Sequence, residues 1–160
     1  MRWMAVLILG LSLGNPSLAQ RAIGFGSGHD RTAPIDIAAD SLDVDQETGF
    51  AVLRGNVLII QDLMRLSANE VEIDYTEGEG KREITRMVAI GEVVIVSGED
   101  AAEGNRAIYD LNSSSMELIG DVVVTQPDNV MSGENLVVNL VTGAGTMKGR
   151  VRTTFGAASQ

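Results

Sequence analysis

Three pairs of neighbouring carboxylate residues have the types and the spacing that acid–base catalysis could use. They are Asp43 with Asp45, Glu70 with Glu72, and Glu99 with Asp100. Two carboxylates close together can act as general acid and general base. However, the chain has no cysteine and one histidine, so no nucleophile motif selects one pair as a catalytic centre. The sequence therefore predicts a solvated acidic face at these positions and a protein that is not an enzyme.

Metal and phosphate chemistry finds equally little support. The single histidine, His29, lies in the segment QRAIGFGSGHDRTA (20–33), without the partners at defined spacing that a metal site needs. The stretch GFGSG (24–28) shares only its composition with a phosphate-binding loop, since no strand pattern precedes it and no helix pattern follows. We expect no metal and no cofactor, and a flexible leader over residues 20–33.

The charge and composition of the chain exclude further classes. It carries 12 Lys and Arg against 22 Asp and Glu, a net charge of −10, which argues against a nucleic-acid partner because phosphates are neutralised by basic surface. Without cysteine, no disulfide can stabilise the fold. Since only 4% of the residues are aromatic, we expect a core of Val, Ile, Leu and Met.

The segment 1–19 has the pattern of a secretory signal peptide. Arg2 precedes an apolar run over 3–13, and Ser17 and Ala19 supply the small residues that signal peptidase reads. The run is shorter than the roughly 20 apolar residues that span a bilayer. We expect cleavage before Gln20 and export of the protein, with an uncleaved membrane anchor as the alternative.

The remainder of the chain repeats itself. GNVLIIQDLMRLSANEVEIDY from Gly55, GEVVIVSGEDAAEGNRAIYDL from Gly91 and GDVVVTQPDNVMSGENLVVNL from Gly120 align without a gap, and the interval from Gly91 to Gly120 equals that from Gly120 to Gly149. The interval from Gly55 to Gly91 is longer, because it contains the insertion TEGEGKR (76–82), which we place at a turn. A fixed period of this kind is typical of stacked units that bury one another's faces.

Each unit is predicted to consist of β-strands. After Gly55, Val57 and Ile59 alternate with Leu58 and Ile60, as side chains do along a strand. A later strand in each copy alternates in the same way, and a third short strand precedes each glycine. Because no segment shows sustained helical spacing, we expect an all-β domain over residues 34–155 and a flexible tail over 156–160.

Two architectures fit these strands: an open stack of antiparallel strands of jelly-roll type, or a parallel β-helix. Both leave edge strands at the two ends of the stack, and uncapped edges invite pairing with another chain. The predicted edges are 34–38 and 149–155. The residues that we assign to them as partner contacts are Pro34, Ile35, Asp36, Ile37, Arg150, Val151, Arg152 and Thr153.

The motifs PIDIAADSLDVD (34–45), LRGNV (53–57) and LSANEVEIDY (66–75) resemble the OstA-like family of lipopolysaccharide-transport proteins. The resemblance covers Pro34 to about Phe155. It implies an open β-jellyroll whose two sheets form an apolar trough for the acyl chains of lipid A. It also implies a periplasmic location, head-to-tail self-association, and partners among the inner-membrane and outer-membrane components of the transport machine.

The resemblance implies that the inward side chains of the strands line the trough. They are Ile35, Ile37, Leu42, Val57, Ile59, Ile73, Met87, Val93, Ile95, Tyr109, Met116, Leu118, Val124 and Val138. A cleavable signal and a stop at Gln160 favour the bridge protein of this family over its membrane-anchored member and over the outer-membrane member, which continues into a further domain. A self-assembling structural β-solenoid without a ligand is the alternative of a different class.

Overall fold

The computed structural model describes residues 30, 32–78 and 80–156, which form ten β-strands. The predicted signal peptide and most of the predicted leader lie outside these residues. The strands are β1 (Ile35–Ala38), β2 (Ser41–Asp45), β3 (Phe50–Gln61), β4 (Met64–Gly78), β5 (Lys81–Ser97), β6 (Asp100–Asp110), β7 (Ser115–Gln126), β8 (Asn129–Asn139), β9 (Gly145–Lys148) and β10 (Arg152–Phe155). Within the described part of the chain, no helix has the length and apolarity to cross a bilayer.

The strands form one antiparallel sheet in which each long strand pairs with its neighbours in the sequence. The order is β1-β3-β4-β5-β6-β7-β8-β10, with β2 also paired to β3 and β9 also paired to β8. The all-β prediction is confirmed. Because the strands pair antiparallel, the fold is the jelly-roll arrangement and not the parallel β-helix. Hairpins join antiparallel neighbours directly, which is why short turns suffice between β3 and β8.

A glycine bend lies in the middle of β3, β5 and β7 and recurs between β9 and β10. At each bend the glycine has φ between +75° and +82°, and the residue after it also has a positive φ. In β3, β5 and β7 the two residues oppose one residue of the following strand, so the register shifts by one at each of these bends. Such a bulge bends a strand, and each long strand therefore contributes one half to each side of a folded sheet.

The buried side chains of both halves form one aliphatic core. Its fully buried members include Val71, Ile95, Leu118, Val124 and Leu136. Burial of one such side chain contributes roughly 1.5–3 kcal/mol. Because the protein has no cysteine, this burial is the source of stability that replaces disulfides.

The inward side chains lie in three continuous rows across the sheet, as given by the residue-to-residue register. The first row is Val44, Ala51, Ile73, Met87, Tyr109, Met116, Val138 and Gly145. The second row is Leu42, Leu53, Val71, Ala89, Ala107, Leu118, Leu136 and Met147. The third row is Ile37, Ile59, Leu66, Ile95, Ala102, Val124, Met131 and Thr153. The rows place equivalent residues of successive repeats side by side.

Two details of the predicted strands are wrong. The short strand expected before each glycine is continuous with the strand after it, since β3 runs through Gly55 and β5 through Gly91. The insertion 76–82 lies at the β4–β5 turn, where it was predicted, and it also lengthens β4 and β5 into a projecting hairpin with Glu77 paired to Arg82. The C-terminal edge strand begins at Arg152, because Gly149 and Arg150 form the last bend and Val151 lies before the strand.

Candidate functional site: the mouth of the apolar interior

A cavity of about 630 Å³ opens at the N-terminal end of the sheet. Its lining combines the end of β1, the β1–β2 connection, β2, the first residues of β3 and β5, and the second half of β4. The lining residues are Ile37, Ala38, Ala39, Asp40, Ser41, Leu42, Val44, Ala51, Leu53, Ile73, Tyr75, Arg82 and Ile84. Most of these side chains are aliphatic, so the cavity, which we call the mouth, suits an apolar ligand.

Tyr75 and Arg82 shape one side of the mouth. The Tyr75 hydroxyl donates a hydrogen bond of 3.1 Å to the backbone carbonyl of Asp45, which holds the end of β2. The Arg82 guanidinium lies 5.5 Å from the centroid of the Tyr75 ring, within the range of a cation–π contact. Arg82 also pairs with Glu77 at 3.2 Å. A single cationic side chain therefore borders a mainly apolar opening.

Beyond the mouth the interior is closed. The next cavity, lined by Ile35, Ile59, Gln61, Met64, Leu66, Met87 and Tyr109, has a volume of about 20 Å³, which is the space of one water molecule. Ile95, Leu118, Val124 and Val138 have no exposed surface. In this state the side chains of the two halves of the sheet fill the interior themselves.

Every residue predicted to line a trough points to the inside of the fold, but only three of them line the mouth. Ile37, Leu42 and Ile73 line it, and Ile35, Ile59, Met87 and Tyr109 surround the small inner cavity. Val57, Val93, Ile95, Met116, Leu118, Val124 and Val138 are buried against other side chains. The fold thus places these side chains on its inner face, and contact with a lipid stays a prediction for every one of them.

Val44, Tyr75, Arg82 and Ile84 also line the mouth and were not among the predicted residues. Val44 and Tyr75 could have been found from the repeat, because each occupies a position equivalent to other inward residues. Arg82 lies in the insertion, where the repeat gives no equivalent residue.

Both ends of the sheet carry short strands. At the N-terminal end β1 and β2 pair side by side with β3, and at the C-terminal end β9 and β10 pair with β8. Of the predicted N-terminal edge 34–38, Ile35–Ala38 form β1, which lies at an end of the sheet together with β2, a strand that the predicted edge did not include. Of the predicted C-terminal contacts, Arg152 and Thr153 lie in β10, whereas Arg150 and Val151 precede it.

Three of the carboxylates considered for catalysis, Asp43, Asp45 and Glu70, have structural partners. Arg54 pairs with both Asp43 and Glu70, and the Asp45 carboxylate accepts backbone hydrogen bonds from Glu47 at 2.9 Å and Thr48 at 3.2 Å. Among residues 30, 32–78 and 80–156, no group of three or more acidic or histidine side chains could hold a metal ion.

Two turn carboxylates have shifted pKa values. The hydrogen bond from the backbone N–H of Thr48 lowers the pKa of Asp45, and that from the backbone N–H of Ser113 lowers the pKa of Asp110. Asn139 accepts from Val141 and Thr142 at the equivalent place of the next repeat. A turn closed by Asp or Asn, an Asx turn, thus recurs along one side of the sheet.

The family described as "LptA/(LptD N-terminal domain) LPS transport protein" matches residues 36–144, more than half of the chain. The chain belongs to this family of lipopolysaccharide-transport proteins. An uncharacterized protein of Rhizobium meliloti is 31% identical over 151 residues, which are 88% of this chain and 80% of that protein. The lipopolysaccharide export system protein LptH of Pseudomonas aeruginosa is 28% identical over 115 residues, 68% of this chain and 64% of LptH.

The fold is that of a solved relative. The crystal structure of LptH from Pseudomonas aeruginosa, described as the LptA-homologous periplasmic component of the lipopolysaccharide transport device, superposes with a TM-score of 0.72 at 21% sequence identity. The superposition covers 81% of this chain and 99% of LptH. The predicted open β-jellyroll of the OstA-like type is confirmed.

Proposed function

We propose that this protein binds lipopolysaccharide by its acyl chains and carries it across the periplasm between the inner and outer membranes. The observation that supports the proposal most directly is the apolar mouth, which continues into the three rows of inward, mainly aliphatic side chains. Because the rows are mainly apolar along their whole length, they offer an acyl chain similar surroundings at each repeat. Membership of the lipopolysaccharide-transport family agrees with this role.

The mouth suits both parts of such a ligand, the apolar acyl chains and the phosphorylated sugar head. Each methylene that leaves water contributes about 0.8 kcal/mol, so acyl chains favour the aliphatic lining, and the sugar and phosphate head remains outside. Arg82 borders the opening and Lys81 precedes it on the projecting hairpin. These two cations offset the repulsion between a phosphorylated head and a chain whose net charge is −10.

Passage of an acyl chain beyond the mouth requires the two halves of the sheet to part. The inner residues of the three rows are fully packed, and a lipid can shift the protein towards an open state only by binding that state more tightly. Burial of acyl surface supplies this difference in affinity. The closed state is accordingly the resting state of the protein without lipid.

The partners in this proposal are the inner-membrane and outer-membrane components of the transport machine and further copies of this chain. β1 with β2 and β9 with β10 end the sheet without covering strands in the described chain, and edge strands of this kind accept a further strand. The ends differ from each other, so contact between copies is head-to-tail and gives open rods.

Export is part of the same proposal, with residues 1–19 removed as a signal peptide. The intact mass of the protein isolated from the periplasmic fraction should correspond to a chain that begins at Gln20. A full-length mass in the inner-membrane fraction would indicate the membrane-anchored alternative.

The lipid site is tested by placing a charge in the mouth. Ile84→Glu puts a carboxylate among apolar groups at a half-buried position away from the sheet ends, which costs several kcal/mol when acyl chains cover it. We expect at least a roughly tenfold loss of affinity for fluorescently labelled lipopolysaccharide. Val141→Glu, at a side chain 63% exposed in the β8–β9 turn, is the matched control and should bind like the wild type.

A folded Ile84→Glu protein with wild-type affinity would contradict the mouth as the acyl site. Circular dichroism and the unfolding temperature of both variants show whether they are folded. Mass spectrometry of lipid co-purified from the periplasm separates the proposal from the ligand-free structural solenoid, which would release no lipopolysaccharide.

A further inference from the structure

We propose that a second copy of this chain docks on the C-terminal end in one register, in which Arg150 lies opposite Asp40 of the next copy. The inference rests on the proposed head-to-tail assembly and adds to it the residues that set the register and the polarity of the junction. It follows from the bends, the rows and the charges of the two ends.

Every bend is filled by a side chain of the neighbouring strand. Asp40, Asn69, Asn105 and Glu134 occupy equivalent positions of the repeat, and each lies where a Cβ atom on Gly55, Gly91, Gly120 or Gly149, respectively, would clash with it. Each is also hydrogen-bonded to the residue after that glycine, for example Asn56 to Asp40 at 2.8 Å and Arg150 to Glu134 at 2.9 Å. These contacts therefore fix the register of the β1–β2 segment on β3, of β4 on β5, of β6 on β7 and of β8 on the β9–β10 segment.

The last bend, at Gly149 and Arg150, has a neighbouring strand on one side only. Gly149 and Arg150 meet Glu134 of β8, and their other side faces the end of the sheet. Inside the molecule the other side of each bend is occupied, since Arg54 and Val57, which flank the Gly55 bend, pair with Glu70 and Ala68, which flank Asn69. Asp40 is the equivalent of Asn69, so the repeat continues when Asp40 of a second copy takes that place beside Arg150.

The same register continues the three rows of inward side chains across the junction. Gly145 meets Val44 of the next copy, Met147 meets its Leu42, and Thr153 meets its Ile37. In the isolated chain Leu42 is 57% exposed and Ile37 is 40% exposed. Docking in this register covers both and joins the mouth of one copy to the interior of the other.

The charges of the two ends are complementary. The N-terminal edge, residues 34–46, carries Asp36, Asp40, Asp43 and Asp45 and no Lys or Arg, whereas the chain from 141 onwards carries Lys148, Arg150 and Arg152 and no Asp or Glu. Opposite charges favour contact between unlike ends, and like charges oppose contact between two equal ends. The Arg150 side chain is 90% exposed, and its five donors allow it to bind a second carboxylate besides Glu134.

The pair is tested by charge reversal and measured by analytical ultracentrifugation. Asp40→Lys and Arg150→Glu each place like charges at the junction, and we expect each variant alone to associate roughly tenfold or more weakly than the wild type. The double variant carries the reversed pair and should regain association. Asp121→Lys, at a bend inside the sheet, makes the same change of net charge as Asp40→Lys away from both ends and should associate like the wild type.

An equimolar mixture of the two single variants is the control for folding. The unaltered C-terminal end of Asp40→Lys fits the unaltered N-terminal end of Arg150→Glu, and the two altered ends form the reversed pair, so the mixture should associate although each variant alone does so only weakly. Asp40→Asn, which introduces the residue present at 69 and 105, should fold and weaken association less than Asp40→Lys.

The register itself is tested by cross-linking, which the absence of cysteine makes unambiguous. Thr153→Cys combined with Ile37→Cys should give covalent multimers on oxidation, because opposite residues of paired strands bring their Cβ atoms within about 5 Å. Thr153→Cys with Ala39→Cys, two positions away, should not. A wild type that stays monomeric at millimolar concentration would overturn the proposed self-assembly as a whole. A wild type that associates, while the single reversals have no effect or the shifted cysteine pair cross-links, would overturn the register alone.

Discussion

The bend residues show how a single position determines the geometry of a whole sheet. Gly120 has φ of +82°, and a Cβ atom there would lie 2.7 Å from the Nδ2 atom of Asn105. The position thus requires both a left-handed backbone and the absence of a side chain. Only glycine meets both requirements.

Gly120→Ala is expected to destabilise the protein beyond the cost of its backbone conformation. A left-handed conformation costs an L-residue roughly 1–2 kcal/mol, and the contact with Asn105 adds to that cost. Gly98→Ala is the matched control, since Gly98 has φ of +63° and open space around it. Urea unfolding measures both variants, and equal losses of unfolding free energy would show that Asn105 moves aside without cost.

The Asx turns connect single residues to the pH dependence of stability. The pKa of Asp110 lies below its ordinary value of 3.8 because the backbone N–H of Ser113 donates to the carboxylate. The folded state therefore keeps this charge at a pH where the unfolded chain takes up a proton. The stabilisation is present above pH 3.8 and is lost as the pH falls through the folded-state pKa.

Asp110→Asn keeps the acceptor oxygen and removes the titration. We expect its unfolding temperature to fall less than that of the wild type between about pH 5 and pH 3. The reciprocal variant Asn139→Asp introduces a carboxylate at the equivalent turn, so its unfolding temperature should fall more than that of the wild type over the same pH range. If the unfolding temperatures of all three proteins fell equally with pH, the carboxylates of these turns would not contribute to the pH dependence of stability.

Among the elements, the β4–β5 hairpin departs from the repeat. Its tip, with Glu77 opposite Arg82, extends past the other hairpins on that side of the sheet and carries Arg82 to the mouth. Deletion of residues 76–82 joins Tyr75 to Glu83 and gives DYEITRM, which aligns with DLNSSSM (110–116). The shortened hairpin can close with the same type of turn as β6–β7.

We expect the 76–82 deletion to fold with nearly unchanged unfolding temperature and to bind labelled lipopolysaccharide more weakly than the wild type. Arg82→Gln is the matched control, because it removes the guanidinium over Tyr75 and leaves the hairpin at full length. A smaller loss for Arg82→Gln than for the deletion would assign part of the affinity to the hairpin itself. Wild-type affinity of the deletion would exclude the hairpin from the site.

The elements also show what the sequence could predict. The constant period from Gly91 to Gly149 and the alternation of apolar residues predicted the repeated strands and their inward positions, because both depend on side chains at equivalent places. They did not predict that β3 continues through Gly55, since a glycine between two strand patterns is typical of a turn as well as of a bulge. The insertion 76–82 does lie at a turn, but its glycines gave no sign that most of its residues lengthen the two flanking strands.

At the scale of the whole molecule, the interior is open at one end and closed beyond it. Alternation identifies which side chains point inward, but it carries no information about the distance between the two halves of the sheet. The sequence could therefore predict the rows, while the mouth of about 630 Å³ beside a packed interior was seen only in the structure.

The closed interior predicts a contrast between two leucines of the same row. Leu118→Ala removes a fully buried side chain and should cost about 2–5 kcal/mol of unfolding free energy. Leu42→Ala, at the mouth end of the row, should cost much less because Leu42 is largely exposed already. Urea unfolding of the lipid-free protein measures both. A similar small loss for the two variants would mean that the trough stands open in solution.

One period of the repeat, from Gly91 to Gly120, corresponds to two strands, and two neighbouring strands span about 9.5 Å across a sheet. This unit contains its own bend, its own Asx turn and its own share of the inward rows. Both ends of the sheet are formed by other residues, so a duplicated unit would lengthen the interior by the width of two strands and leave the ends as they are. The reach of such a protein can therefore change by gene duplication while its docking chemistry stays constant.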